Sequence, residues 1–228
     1  MIKCDENYAS LQSCASVARP RGWVDDNYVR LAAILYTKVW EKRFPGRSRR
    51  FMIDPTFAIR VLQDGIRDVE KLVSSYAKQM VGTSWKRIVH VFVPVLENKH
   101  WWCTAYSPNR GEVLVMDSLE PKKAPDCHHL SLTTLGYAMD TLFSALDPSW
   151  RVGRIHTWPT VSLDMNIQND THSCGVHMLI AIKACADRFV ERVVVDNMSK
   201  ERERLLCEDV MSTENEARSS VIDLLSTL

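Results

Sequence analysis

The 228-residue chain lacks an apolar run long enough to cross a membrane. Its longest apolar stretches, "IVHVFVPVL" and "MLIAI", fall well short of the roughly 18 residues that a membrane span needs. The opening residues, "MIKCDENYAS", lack the charged and apolar regions of a signal peptide. We therefore expect a soluble protein with no membrane partner.

The net charge is also small, and the cysteines do not form a pattern of pairs. The net charge is only +1, so no field of the whole chain attracts nucleic acid, and we predict no nucleic-acid partner. The seven cysteines are an odd number and lack the tight spacing of a disulfide framework. This pattern predicts a reducing, intracellular compartment.

The chain has enough apolar residues, 46%, to build the core of one domain. Residues 1–22 are polar, and we interpret them as an N-terminal entry segment to a domain that spans residues 23–228. A helical pattern begins near Asp26, short β-branched and aromatic segments follow, and helical patterns then return. This order favours an α+β fold.

Several boundaries follow from the local patterns. The segments "RIVHVFVPVL", "HWWCTAYS" and "EVLVMDSL" are separated by turn residues and predict neighbouring antiparallel strands. The segment "RVGRIHTWPTVSL" predicts a further strand, which ends at the loop before Gln168. We expect a helix to begin at Cys174 and to continue to about Val194.

The stretch "QNDTHSCGV" puts a thiol at the start of that helix. If Ser173 caps the helix, its unpaired N–H groups and the positive end of its dipole face the sulfur of Cys174 and favour the thiolate. Gly175 has no Cβ atom, so it permits the close approach of another chain. Cys174 is therefore a candidate nucleophile.

A nucleophilic thiolate needs a base, a group that orients the base, and donors for the oxyanion. His100 opens the second predicted strand and Asp117 closes the third, so antiparallel pairing brings them to one edge of the sheet. Gln168 lies in the loop before the helix, where its amide and the Cys174 N–H form a candidate oxyanion hole.

Soft metal ligands are present at "CHH", residues 127–129, and at His172, Cys174 and His177. Their spacing matches neither a paired Cys-x-x-Cys nor a His-Glu-x-x-His pattern. We therefore predict no metal site.

These motifs resemble the ubiquitin-like-protein-specific cysteine proteases, the family of the SUMO (sentrin) proteases with adenoviral and plant transposon-associated relatives. The family shows His-Trp, then Asp-Ser, then Gln with five residues before Cys-Gly. The matching positions here are His100-Trp101, Asp117-Ser118, and Gln168 with Cys174-Gly175. The likeness covers the chain from about Trp23 to Met211.

The resemblance implies a papain-like cysteine protease core, with a small mixed or antiparallel sheet flanked by helices and the nucleophile at a helix N-terminus. It implies cleavage after the C-terminal Gly-Gly of a SUMO-like modifier by a triad of Cys174, His100 and Asp117, without a cofactor. The expected partner is SUMO or another ubiquitin-like modifier and its conjugates. A monomer in the nucleus or cytoplasm is expected.

By the same resemblance, Trp23 and Trp101 would enclose the substrate glycines in a narrow tunnel, and Asp26 would contact the surface of the modifier. The chain departs from the family at Ser173, where many members have aspartate, and at Met116, where tyrosine is common. Ser is also a good helix cap, so no catalytic part is lost.

Two other functions stay open. Acyltransferases related to bacterial effectors use a similar His, acid, Cys order, and in them the acyl group passes to an acceptor other than water. The second alternative is a catalytically inactive module that binds a modifier. The intact set of His100, Asp117, Gln168 and Cys174 argues against it.

Overall fold

The structure is a computed structural model that describes residues 1–45, 49–64, 69–80, 88–188 and 192–227. The helices are α1 (Leu11–Ala18), α2 (Asp26–Arg43), α3 (Thr56–Asp64), α4 (Val69–Met80), α5 (Ala124–Cys127), α6 (His129–Leu146), α7 (Cys174–Arg188), α8 (Met198–Val210) and α9 (Arg218–Ser226). The strands are β1 (Ile2–Cys4), β2 (Asn7–Ala9), β3 (Arg49–Met52), β4 (Ile88–Glu97), β5 (His100–Ser107), β6 (Glu112–Met116), β7 (Thr160–Ser162), β8 (Asp164–Met165) and β9 (Arg192–Val193). Within these ranges, no helix combines the length and apolar character that crossing a membrane requires.

Five strands in the described part of the chain form one mixed sheet in the order β3-β4-β5-β6-β7. The three central strands pair antiparallel, as the sequence predicts, and the outer strands run parallel to their neighbours. Asn98 and Lys99 join β4 to β5 with positive φ angles of 51° and 61°. Such a turn matches the twist of the strands, and it fixes the register that opposes Glu97 to His100.

The sheet separates two hydrophobic layers, because successive side chains of a strand point to opposite faces. Trp101 and Cys103 of β5 join the core that includes α2 and α7, whereas Trp102 and Tyr106 join the core that includes α3, α4 and α6. Helices thus cover both faces of a mixed sheet, and Cys174 begins α7. The predicted α+β fold with a nucleophile position at a helix N-terminus is confirmed.

Residues 1–22, predicted as an entry segment, form the hairpin of β1 and β2 and the helix α1. Cys4 and Val17 are buried in the same core as α2 and α7. The backbone N–H of Lys3 donates to the side chain of Asn215, just before α9, at 2.9 Å. Residues on both sides of the predicted boundary at residue 22 thus share one core, and the boundary itself stays a prediction.

The predicted end of the long helix is wrong. The helix α7 ends at Arg188 instead of near Val194, and residues 189–191 lie outside the described ranges. Arg192–Val193 forms β9 and pairs with β8 in parallel. Valine is branched at Cβ, which favours the extended backbone, so the first valine of this run lies in a strand instead of a helix.

The strand predicted in "RVGRIHTWPTVSL" is wrong in extent, because only Thr160–Ser162 is a strand. Gly153 takes a positive φ of 87°, and Ile155–Thr157 forms a 3-10 turn. A left-handed glycine interrupts an extended segment, so the chain turns before it reaches the sheet.

Candidate active site

His100 is the first residue of β5 and Asp117 is the first residue after β6. The register pairs Cys103 with Met116, so the start of one strand and the end of the other meet at one edge of the sheet. Nε2 of His100 lies 2.6 Å from Oδ1 of Asp117. The predicted meeting of these two side chains is confirmed.

His100 also interacts with the sulfur of Cys174. Burial alone would lower the pKa of His100, but hydrogen bonds and negative charge from Asp117 and Cys174 outweigh burial and raise the pKa to about 9. Since Nε2 is bonded to Asp117, Nδ1 is the ring nitrogen left to exchange a proton with the thiol. The structure thus brings the three predicted residues of the triad together.

The carboxyl group of Asp117 accepts hydrogen bonds at both oxygens. Oδ1 accepts from His100 and from the backbone N–H of Leu119 at 2.8 Å, and Oδ2 lies 2.9 Å from Nε2 of His128. Burial alone would raise the pKa of Asp117, but these three donors hold it well below its usual range. Asp117 is therefore ionised at neutral pH and can stabilise an imidazolium.

The helix α7 begins at Cys174, as predicted, and the thiol is only 1% exposed. The predicted cap at Ser173 takes a different form. Its hydroxyl donates to Asp170 at 2.6 Å and accepts from Arg202 at 3.0 Å, so its hydrogen bonds in the described structure join side chains instead of the helix N–H groups. Asp170 also accepts from the backbone N–H groups of His172 and Ser173. Asp170 therefore fixes the turn that leads to the thiol.

Arg202 of α8 also binds the turn that leads to Cys174. Its side chain is fully buried, and it donates to the carbonyl of Val17 at 2.9 Å and to the carbonyl of His172 at 3.2 Å. Its third hydrogen bond goes to Ser173. One guanidinium thus joins α1, α8 and the entrance of α7, because its planar fork carries several donors.

Gln168 is buried in the loop before α7. Its Oε1 accepts from the Ser118 hydroxyl at 2.6 Å, and its Nε2 donates to the carbonyl of Asp170 at 2.8 Å. One amide hydrogen is used by Asp170, so a second hydrogen is left for another acceptor. The orientation of Gln168 is therefore fixed, and its role as an oxyanion donor stays a prediction.

Gly175 packs against the loop before α2 instead of leaving room for another chain. A Cβ atom on Gly175 would lie 2.7 Å from Cβ of Val24 and 3.1 Å from Cδ1 of Trp101. The indole N–H of Trp101 donates to the Val24 carbonyl at 2.8 Å. Glycine is thus needed because the helix start and this loop are in direct contact.

The two predicted substrate tryptophans have different surroundings. Trp101 is only 1% exposed, whereas Trp23 is 41% exposed. Asp26 is the exposed first residue of α2, whose cap is Asp25. Trp101 has a clear packing role beside Gly175, and the substrate contacts of Trp23, Asp26 and Trp101 stay predictions.

Sequence reasoning missed four residues that hold the site, namely His128, Asp170, Arg202 and Glu97. His128 belongs to the "CHH" cluster, which the sequence suggested only as a source of metal ligands. Asp170 binds the backbone N–H of His172, two residues on, which is the spacing of an Asx turn and the one signal that could have identified it.

Comparison with known proteins agrees with this geometry. Residues 63–218 match the family model described as the Ulp1 protease family, C-terminal catalytic domain. No curated protein sequence matches the chain.

Solved structures show the same fold. The C-terminal Ulp1 protease domain in complex with Smt3, the yeast ortholog of SUMO, aligns with a TM-score of 0.69 at 15% identity, over 94% of this chain and 90% of that one. The Ulp1-like SUMO protease catalytic domain of Chaetomium thermophilum aligns with a TM-score of 0.64 at 16% identity, over 87% of this chain and 75% of that one. A de-sumoylating protease aligns with a TM-score of 0.64 at 12% identity, over 99% and 93% of the two chains.

The family match extends over more than half of the chain and includes His100, Asp117, Gln168 and Cys174. The sequence pattern, the fold and the arrangement of the thiol, the imidazole and the carboxylate agree with one another. The chain therefore belongs to the Ulp1 protease family and is a cysteine peptidase.

Proposed function

We propose that the chain cleaves the peptide or isopeptide bond after the C-terminal Gly-Gly of SUMO or a similar modifier. The observation that carries the proposal is the position of His100, which bonds Asp117 through Nε2 and interacts with Cys174 on its other side. This is the order of groups that a thiol protease needs. Membership of the Ulp1 family, and solved relatives described as SUMO proteases, support SUMO as the modifier.

In the first step, the thiolate of Cys174 attacks the carbonyl carbon of the terminal glycine, and the carbonyl oxygen becomes an oxyanion. Gln168 and the Cys174 N–H donate to it, and each such donor lowers the barrier by about 3 kcal/mol in comparable sites. The C–N bond then breaks, and His100 gives its proton to the leaving amine. A thioester to Cys174 remains.

In the second step, water attacks the thioester while His100 takes one of its protons. The C–S bond breaks, the second proton of the water passes to solvent, the modifier leaves with a free carboxylate, and the thiolate and imidazolium are restored. Asp117 keeps the ring of His100 oriented in both steps and stabilises the imidazolium form. No metal or organic cofactor enters these steps.

Burial of the nucleophile supports glycine as the residue to be cleaved. Cys174 and Trp101 are each 1% exposed, so little space is open beside the sulfur. A backbone without side chains passes through a narrow opening that excludes larger residues. We propose that this exclusion, with contacts from Trp23, Trp101 and Asp26, selects Gly-Gly.

The test is to incubate the purified chain with SUMO, ubiquitin and other ubiquitin-like modifiers that carry C-terminal vinyl sulfone or amidomethylcoumarin. We expect a covalent adduct and coumarin release with SUMO, both lost in Cys174→Ala. Cys207→Ser is the matched control, because Cys207 is exposed and lies on α8. Its activity is expected to equal that of the unaltered chain.

A SUMO substrate in which the penultimate glycine is alanine tests the exclusion. We expect kcat/KM for this substrate to be at least about tenfold lower than for the substrate with Gly-Gly. A folded chain that reacts with no modifier would refute the protease proposal. Transfer of an acyl group to an added amine with no hydrolysis would favour the acyltransferase.

A further inference from the structure

A second imidazole, that of His128, binds the carboxylate of the triad on the side opposite His100. Nε2 of His128 lies 2.9 Å from Oδ2 of Asp117, whereas His100 bonds Oδ1. Asp117 is only 3% exposed, so water has little access to replace either donor. Oδ1 of this buried carboxylate accepts from His100 and from the backbone N–H of Leu119, whereas the donor to Oδ2 among the described residues is His128.

Trp102 and Glu97 hold His128 in place. Its ring stacks on the indole of Trp102, with 3.9 Å between the ring centroids and 15° between the planes. Its Nδ1 lies 3.5 Å from Oε2 of Glu97, and Ser131 donates to the other oxygen of Glu97 at 2.8 Å. Stacking fixes the plane of the ring, and Glu97 fixes its rotation within that plane.

These contacts link four side chains in a row, and the residues at its two ends are cross-strand partners. Glu97 is the cross-strand partner of His100, and both belong to the hairpin of β4 and β5. From His100 the contacts run to Asp117, then to His128, and then to Glu97. The groups that face the two imidazoles are thus Glu97 from β4, Asp117 after β6, and Cys174 from α7.

We infer that His128 is a positioning residue that fixes the Asp117 carboxylate and, through it, the ring of His100. The inference rests on the proposed function. A carboxylate bonded at one oxygen can rotate about its Cβ–Cγ bond, whereas donors at both oxygens fix its plane. Its plane sets the direction of the 2.6 Å bond to His100, and so sets where Nδ1 meets the sulfur.

Two substitutions separate the hydrogen bond from the packing. His128→Phe keeps a flat ring on Trp102 but removes the donor to Asp117, and His128→Gln removes the ring but keeps an N–H donor. We expect kcat/KM to fall about 10- to 100-fold in His128→Phe, with KM nearly unchanged, and to recover most of this loss in His128→Gln. His129→Phe and His129→Gln are matched controls, because His129 is the exposed next residue.

A second readout does not depend on the modifier. The alkylation rate of Cys174 by iodoacetamide is measured against pH, with the labelled peptide quantified by mass spectrometry. A well-oriented imidazolium keeps the thiolate reactive at lower pH, so we expect the acid limb in His128→Phe to move up by about one pH unit. The limb is expected to return towards its original position in His128→Gln.

The outcomes distinguish the two proposals. An upward shift in His128→Phe that is rescued in His128→Gln supports the inference even if no modifier is cleaved, in which case only the proposed substrate fails. No upward shift in a folded His128→Phe, or an equal loss in both variants, overturns the inference. If His128→Phe does not fold by circular dichroism, His128→Leu takes its place with the same expected result. A Cys174 that does not react in the unaltered chain would overturn both proposals.

Discussion

Gly175 and Val24 are in such close contact that no side chain fits between them. A Cβ atom added to Gly175 would lie 2.7 Å from Cβ of Val24, a distance that real Cβ atoms do not reach. The contact joins the first turn of α7, directly after Cys174, to the loop before α2. The position of the thiol therefore depends on the absence of one methyl group.

Gly175→Ala is expected to destabilise the protein by about 1–3 kcal/mol, because the added methyl group forces the helix and the loop apart. Gly136→Ala is the matched control within α6, since its Cβ atom would be 3.5 Å from Ile155, an ordinary contact. That change is expected to be neutral or to stabilise by up to about 1 kcal/mol. Urea unfolding of both variants measures the difference. Equal free energies of unfolding would contradict this account of Gly175.

The raised pKa of His100 predicts the upper pH limit of activity. The leaving amine needs a proton from the imidazolium, which is present below the pKa of about 9 and lost above it. We expect kcat/KM to stay high up to about pH 9 and then to fall. Steady-state hydrolysis of a SUMO–coumarin substrate between pH 5 and 10 measures this limb.

Asp117→Asn tests whether Asp117 causes the raised pKa of His100 and so sets the alkaline limb of the pH profile. An amide has no charge to stabilise the imidazolium, so the pKa of His100 falls and the alkaline limb moves to lower pH, with kcat reduced by about 10⁴. The stability effect has the same sign. Because the pKa of His100 in the folded protein lies above the ordinary histidine value of 6.5, His100 stabilises the fold fully below about pH 6.5, and this contribution is lost as pH rises through about 9. An alkaline limb that stays in place in Asp117→Asn would contradict the assigned cause.

The sequence was sufficient for the parts of the site that depend on local order. His100 and Asp117 could be paired because two strands and their turn were readable, and Cys174 was readable as the first residue of a helix. The contacts of His128 and Arg202 could not be predicted, because no sequence motif links either residue to Asp117, Ser173 or Cys174. His128 lies between α5 and α6, and Arg202 lies on α8. Their contacts depend on how these helices pack, which the spacing of apolar residues along the sequence does not reveal.

Two other features also depend on tertiary contacts. Ser173 was a good cap candidate by residue type, but a nearby carboxylate, Asp170, and a buried guanidinium, Arg202, bind its hydroxyl. Residues 1–22 are mostly polar, but Val17 among them is fully buried. The composition of a segment does not show which of its residues are buried. Tertiary contacts therefore decided the features that local preference left open.

Gln168 offers a prediction in which two reactions of one variant serve as controls for each other. Gln168→Ala removes a donor that we propose for the oxyanion, so kcat for SUMO–coumarin hydrolysis is expected to fall about 10²- to 10³-fold with little change in KM. Alkylation of Cys174 by iodoacetamide forms no oxyanion, so its rate is expected to change little. Asn166→Ala, in the same loop, is the matched control and is expected to keep full activity. Equal losses in hydrolysis and alkylation would mean that Gln168 only supports the loop.

We expect substitution of Arg202 to lower the free energy of unfolding much more than substitution of Arg204 on the same helix. Arg202→Leu leaves the carbonyls of Val17 and His172 and the hydroxyl of Ser173 without their buried donor, which is expected to cost about 2–4 kcal/mol. Arg204→Leu, two residues along α8, removes exposed ion pairs with Glu201 and Glu208, the partners that Arg204 has among the described residues, and is expected to cost less than about 1 kcal/mol.

Urea unfolding of the two variants checks this difference, and Arg202→Lys refines it. Lysine keeps the charge but lacks the planar guanidinium group, so it cannot donate to the three acceptors in the same geometry. The free energy of unfolding of Arg202→Lys should therefore lie between those of the unaltered chain and Arg202→Leu. The turn before Cys174 loses a support in each case, so alkylation of Cys174 should slow in the same order. If Arg202→Leu and Arg204→Leu were equally stable, the three hydrogen bonds of Arg202 would not be what holds α1, α8 and the entrance of α7 together.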